Sequence, residues 1–315
     1  MIENVISRRR FVRNAVLAGG AVLAGIETSQ AAGQKLPGKL HLACNQYPWT
    51  TFYSREKRDF NADLDKGLSE VAASGMDGYE PLANNPAEVE QLGPLLKKHG
   101  LQMRSLYVNS VLHERDKADA SIEAVLAIAR KAKEIGTEII VTNPSPIRWG
   151  GPENKTDEQL KVQAQSLQDL ARKLQGIGLM LAYHNHDIEL RNAAREFHHM
   201  MVGTYPDYVT LCLDAHWIYR GAGNSQVALF DVIKLYGPRI TELHLRQSKE
   251  GIWTEAFGDG DIDYSAVAKY LLELNVRPHL VIEQAVEAGS LKTMTPVEAF
   301  KKSSQYARQL FAAFA

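Results

Sequence analysis

From residue 34 onward the chain alternates short apolar runs rich in strand-forming residues with longer segments whose apolar positions recur every three and four residues. The alternation occurs eight times. It predicts strands over 40–46, 76–82, 101–108, 138–143, 179–186, 209–216, 239–246 and 279–285, each near the common strand length. The intervening segments, such as 120–135 and 157–174, gather apolar residues on one face and charges on the other, as amphipathic helices do. Gly75, Gly100, Gly136, Gly178 and Gly237 each fall between a helical run and the next strand, where a left-handed helix terminus favours glycine.

Strand followed by helix implies parallel strands joined by right-handed crossovers. Eight such units without a linker or composition break predict an α/β fold, a single (β/α)8 barrel over 32–315. An open doubly wound sheet is the alternative. Against it, Cys44-Asn45-Gln46-Tyr47-Pro48-Trp49 follows the first strand where a Gly-x-Gly-x-x-Gly turn would stand. Nor is there a Gly-x-x-x-x-Gly-Lys-Ser/Thr loop, so nucleotide cofactors lack their usual cradle.

The first residues read as an address. Ser7-Arg8-Arg9-Arg10-Phe11-Val12-Arg13 precedes an uncharged run over 14–26, and small residues around Ser29-Gln30-Ala31-Ala32 supply a cleavage site. This pattern predicts a twin-arginine signal peptide over 1–31 and a periplasmic location. The apolar run is shorter than the roughly 20 residues a bilayer span needs, so no stable membrane anchor is expected. The whole chain of 315 residues holds 36 Lys plus Arg against 37 Asp plus Glu, a net charge of −1. Without residues 1–31, which contain four Arg and two Glu, 32 basic and 35 acidic residues remain, about −3. Such a balance argues against a nucleic-acid partner. Cys44 and Cys212 are too few for a disulfide scaffold and are expected to be buried thiols.

Polar residues gather at the carboxyl ends of the last four predicted strands, where barrels of this kind carry their chemistry. These ends read Tyr183-His184-Asn185-His186, Leu213-Asp214-Ala215-His216-Trp217, Leu243-His244-Leu245-Arg246 and Val281-Ile282-Glu283-Gln284. Residues two apart share a strand face, so His184 with His186, Asp214 with His216, and His244 with Arg246 are each expected to point the same way. A single strand histidine is more often a hydrogen-bonded structural residue than a ligand. Histidines and carboxylates from four adjacent strands instead make the donor set for one divalent metal ion, with Mn, Zn or Mg as candidates. Burying Asp214 and Glu283 without a counter-charge would cost several kcal/mol, which calls for a cation or a paired Arg246.

The tract Tyr183-His184-Asn185-His186-Asp187-Ile188-Glu189, with Leu213-Asp214, Trp217, His244-Leu245, Gly258-Asp259-Gly260-Asp261-Ile262-Asp263-Tyr264 and Val281-Ile282-Glu283-Gln284, resembles the xylose isomerase-like TIM-barrel superfamily. More narrowly it is similar to the sugar phosphate isomerase/epimerase group, which includes inosose dehydratases. The resemblance covers essentially all of 32–315. It implies one metal held by Glu, Asp, His and Glu, of which Asp214, His244 and Glu283 match the last three. The first position falls on His184, and Arg246-Gln247 stands where relatives often show Lys-Asp. With one glutamate of the pair replaced, Glu283 keeps the acid–base role and His186 is the second candidate.

A divalent cation on a sugar carbonyl and its neighbouring hydroxyl acidifies the adjacent C–H and stabilises the enediolate. Return of the proton then gives isomerisation or epimerisation, the first expectation. Loss of a β-oxygen gives a lyase or dehydratase acting on a 3-keto-glycoside or inosose-like substrate. A catalytically silent carbohydrate-binding barrel is the reading from another class. Glu80, His216, Arg246 and Lys249 are candidates for holding substrate, Glu80 being equally readable as half of a barrel-lining salt bridge. Trp49, Trp149, Trp217 and Trp253 could stack on sugar faces or pack in the core. His198 and His199 sit on a helical run beside Phe197 and Met200, which favours a helix-surface role. Asp259, Asp261 and Asp263 imitate a calcium loop but lack its later Glu, so Asp261 is expected to cap the helix from Tyr264 onward. The substrate partner is a small carbohydrate, and oligomerisation is left open.

Overall fold

The computed structural model describes residues 40–315; the predicted export signal lies outside the described residues. All eight predicted barrel strands form. They are β1 (Leu42–Asn45), β2 (Gly78–Glu80), β3 (Ser105–Tyr107), β4 (Ile139–Thr142), β5 (Met180–His184), β6 (Val209–Asp214), β7 (Ile240–Leu245) and β10 (His279–Ile282). A small antiparallel hairpin, β8 (Ser248–Lys249) with β9 (Ile252–Trp253), follows β7.

The barrel strands run in the order β2-β1-β10-β7-β6-β5-β4-β3, and every adjacent pair is parallel. The two outer strands of that order meet through parallel bridges between Gly78 and Gln102 and between Leu82 and Tyr107. There the Tyr79 N–H donates to the Gln102 carbonyl at 2.9 Å and the Tyr107 N–H to the Pro81 carbonyl at 3.0 Å. These bonds leave no long unpaired edge and make the sheet a nearly closed (β/α)8 barrel.

The helices predicted over 120–135 and 157–174 appear as Arg115–Glu134 and Asp157–Gly176. The second opens with a capping box in which Thr156 and Gln159 satisfy each other's backbone N–H groups. Each lays buried apolar residues, among them Val125, Leu126, Leu167 and Leu170, against the barrel wall. Gly100 ends the helix Pro86–His99 at φ +68°, a left-handed conformation that a side chain would strain. Gly237 differs from expectation: it has φ −47° and starts a short 3-10 turn, Gly237–Arg239, with Pro238 holding the backbone in that form. Cys44 and Cys212 are buried free thiols. Among the described residues no helix is long and apolar enough to cross a membrane.

The strands are shorter than predicted at their carboxyl ends, and this changes the site. β6 stops at Asp214, whose Oδ1 accepts the Trp217 N–H at 2.7 Å and so caps the helix Ala215–Gly221. His216 therefore lies on a helix rather than two residues along a strand.

Candidate active site

The carboxyl ends of β5, β6, β7 and β10 bring His184, Asp214, His244 and Glu283 into one group, all with donor atoms within 4.8 Å of one another. His184 Nε2 lies 3.2 Å from His244 Nδ1, 3.8 Å from Glu283 Oε2 and 4.0 Å from Asp214 Oδ2. His244 Nδ1 lies 2.9 Å from Glu283 Oε2. Donors around a four-coordinate ion with bonds of 2.0–2.1 Å are about 3.3 Å apart, so this spacing suits a zinc-sized divalent cation. Asp214 Oδ2 is buried with no hydrogen-bond partner, although the other oxygen of the same carboxylate is satisfied. A donor left open inside a cage of donors fits a metal better than it fits a closed hydrogen-bond network.

Beneath this group lies a second buried layer. Glu242, two residues before His244 on β7, and Glu80, at the end of β2, approach His244 Nε2 at 3.0 and 3.2 Å. Nε2–H donation to these carboxylates leaves Nδ1 with its lone pair toward the cluster. Burial raises the Glu242 carboxyl to about 8, with the Glu80 charge adding to the shift. Burial opposes the charge on Glu80 as well, yet His244, Glu242 and Asn45 bring it down to about 2. Burial favours the neutral form of His244, but the surrounding Cys212, Glu80 and Glu283 raise its ring well above the ordinary value.

Arg246 completes the electrostatics. It is fully buried, its Nη2 lies 3.0 Å from Glu283 Oε2 and 3.7 Å from Asp214 Oδ2, and its Nε donates to the Glu283 carbonyl at 2.9 Å. The guanidinium carbon stands 4.9 Å from the Trp217 ring centre and 4.3 Å from that of Trp253. Burial works against ionisation of Glu283, but Arg246 and His244 hold its carboxyl well below the usual range.

A cleft of about 360 Å³ opens above the cluster. His186, Arg246, Glu283, Trp217, Trp149 and Tyr107 line it, and Asn45, Gln46, Tyr47 and Asn109 are among its remaining walls. The His186 ring centre is 4.7 Å from that of His184, and its buried Nδ1 has no hydrogen-bond partner. Burial and the neighbouring His184 lower its pKa well below 6.5, so it is a neutral imidazole. A larger hollow of about 700 Å³ lies outside, around the β8–β9 hairpin, and contains none of the clustered histidines.

Several expected roles move. Glu80 is fully buried and accepts the Asn45 amide at 2.6 Å, so it belongs to the floor beneath the cluster and not to the cleft. His216 is also fully buried, packed between Tyr219 and Trp253 at 5.8 and 6.1 Å, and does not line the cleft. Lys249 is exposed on the hairpin and borders the outer hollow. The helix Tyr264–Glu273 is capped by Asp263, while Asp261 accepts from Ser248 and from the backbone of Glu250 and Gly251. Of the four tryptophans, Trp49 is core, Trp253 backs Arg246, and Trp149 and Trp217 face the cleft. His198 donates to or accepts from the Tyr236 hydroxyl at 2.8 Å, a packing role.

Three residues have a place here that their sequence did not assign, although Glu189 stands in the tract from Tyr183 onward. Glu242 shares the inward face of β7 with His244, and strict alternation along that strand could have found it. Asn143 and Glu189 form a clamp: the Asn143 amide donates to the His184 carbonyl and to Glu189 Oε1, both at 3.0 Å. Glu189 Oε2 in turn accepts the His186 N–H at 2.6 Å. Burial raises the Glu189 carboxyl to about 7, with Glu196 contributing.

The architecture and the placement of these groups define a (β/α)8 barrel with its chemistry at the carboxyl ends of the strands. The chain belongs to the xylose isomerase-like TIM barrel family, whose sequence model matches residues 68–310. It is 24% identical over 275 residues to an inosose dehydratase of Clostridium botulinum, covering 78% of this chain and 89% of that one. In structure it is similar to a sugar phosphate isomerase/epimerase of Parabacteroides distasonis, with a TM-score of 0.66 and 18% identity over 89% of this chain and 99% of that one. It is similar also to 3-keto-D-glucoside 4-epimerase of E. coli, with a TM-score of 0.61 and 15% identity over 86% of this chain and 100% of that one.

Proposed function

We propose that this protein is a metal-dependent enzyme that removes a proton from the carbon beside the carbonyl of a sugar or keto-sugar and works through an enediolate. His184, Asp214, His244 and Glu283 would hold the cation. When bound, the ion supplies Lewis acidity that polarises the carbonyl and stabilises developing negative charge.

The observation that carries this reading is the contrast between the two proton acceptors at the cleft. Glu283 is committed to Arg246 and His244, whereas His186 lines the cleft and its buried Nδ1 has no hydrogen-bond partner. His186 thus takes the proton as general base, and the imidazolium so formed can return it. Delivery to the neighbouring carbon is isomerisation. Epimerisation requires a proton delivered to the opposite face, a step that falls to Glu283 only after its carboxylate has taken up a proton from solvent.

A dehydratase is the second reading, favoured by the relatives named inosose dehydratases. In that case the imidazolium of His186 protonates the departing β-oxygen. Metal analysis, then incubation with candidate keto-sugars in deuterated water, tests the proposal. Deuterium beside the carbonyl is the expected result, new unsaturation marks the dehydratase, and absence of exchange with every metal-loaded preparation refutes both. The residue pattern at Arg8 and Arg9 supports a further proposal, that the enzyme is exported to the periplasm by the twin-arginine route.

A further inference from the structure

We infer that the cleft takes an unphosphorylated sugar that carries a second flat apolar face beyond the reacting ring, and that Trp149 is the platform for that face. The inference rests on the reading of this cleft as the substrate site.

Charge argues against a phosphate. Arg246 and Glu283 are the charged residues of the cleft wall among the described residues. The guanidinium packs against Trp217 and Trp253, whose ring centres are 5.5 Å apart, and faces Glu283 and Asp214. With Asp214 and Glu283 assigned to the metal, Arg246 is the one cationic side chain of the cleft wall among the described residues, and it is buried and already paired with Glu283 at 3.0 Å. The other polar walls, Asn45, Gln46, Thr50 and Asn109, are uncharged and give a phosphate no charge to pair with.

The aromatic rim argues for a second face. Trp149 is 54% exposed and Tyr47 is 46% exposed, yet both line the cleft. Trp149 is held in place. Its ring packs edge-on to His186 at 5.0 Å, the following Gly150 adopts φ +69°, and Arg191 anchors the Gly151 carbonyl at 2.8 Å. Arg148, just before it, pairs with Glu153 at 2.6 Å. An indole kept half in water on a pinned loop, beside a candidate base, has its free face available for stacking. Its position outward of His186 places that stacking beyond the reacting carbon. An aromatic aglycone and the face of a second pyranose share the required chemistry.

Isothermal titration of the protein as purified, with its metal, compares four probes: methyl glucoside, para-nitrophenyl glucoside, cellobiose and a glucose monophosphate. The inference expects para-nitrophenyl glucoside or cellobiose to bind about tenfold tighter than methyl glucoside, the scale of one aromatic stacking contact. Preference for the aryl probe alone identifies an aglycone site, and preference for both identifies a general second-ring site. In Trp149→Ala the preference should fall below about threefold, and Trp149→Phe should restore most of it. Tighter binding of the phosphate, equal affinity for all probes, no binding of any, or a preference that survives Trp149→Ala overturns the inference. Deuterium exchange is scored separately, so selective binding without exchange defeats the catalytic reading and leaves this one standing.

Discussion

His244 Nε2 lies 3.0 Å from Glu242 Oε1, and this contact turns the opposite nitrogen of the ring toward His184 and Glu283. Removing the acceptor frees the imidazole to rotate or change tautomer. Glu242→Leu should therefore weaken metal affinity by about 10- to 100-fold, the usual cost of losing such a supporting partner. Metal content after dialysis against graded chelator measures this. A variant that holds metal as tightly as the parent removes Glu242 from the site.

Asp214→Ala deletes an open donor and a helix cap together. Loss of bound metal and of turnover is expected, with about 1 kcal/mol of stability lost through the cap. The fold should survive, because the barrel interior is filled by other residues, and an unchanged circular dichroism spectrum checks this. Full metal and full activity in this variant would falsify the assigned cluster. Stripping metal from the parent with chelator should reproduce the loss of activity, and restoring the ion should reverse it.

Glu189 acts on His186 through the backbone. Glu189→Ala leaves the His186 N–H and the Asn143 amide short of an acceptor, at about 1–3 kcal/mol. Turnover should fall at least about tenfold, the effect of a slightly misplaced base, while metal content stays near that of the parent. Glu189→Gln keeps an acceptor oxygen and should recover much of the rate. Parallel loss of metal and activity would show that the clamp serves His184 instead.

Acid sensitivity should come from the amino-terminal end of the barrel. His41 and His279 pack at 5.2 Å; burial, with nearby Arg104, lowers His41 to about 4, and burial, with the His41 charge, lowers His279 to about 3. Both folded values lie below the unfolded value near 6.5, so the unfolded chain binds more protons throughout that interval. Stability is complete above about pH 6.5 and falls as the pH drops toward 4, by about 2–3 kcal/mol for each ring. Melting temperature against pH for the parent and for His41→Gln with His279→Gln measures the effect, and the double variant should show the flatter acid limb.

The export proposal has its own test. Arg8→Lys with Arg9→Lys should leave full-length precursor in the cytoplasm, seen by cell fractionation and immunoblotting. Unchanged periplasmic delivery would remove the twin-arginine assignment.

The eight-strand barrel was legible in the sequence because each unit repeats a local signal, a short apolar run followed by an amphipathic helix. The residues now clustered at the site were legible for the same reason: His184, Asp214, His244 and Glu283 all stand at the ends of such runs. What each side chain does there depended on where the strands stop. A strand alternates faces only while it remains a strand, and β6 ends at Asp214, which carries His216 away from the cleft into packing with Tyr219 and Trp253. Glu80 was decided by strand register, which sets β2 beside β1 and β10 beside β7 and sinks the last residue of β2 under His244. The commitment of Glu283 to Arg246, the approach of Glu80 to His244 and the clamp from Asn143 through Glu189 join residues that are distant in the chain or belong to separate strands. Periodicity specifies which face a residue takes along its own strand; the distance to a neighbour on another strand follows only from register and closure, and those were set by tertiary packing.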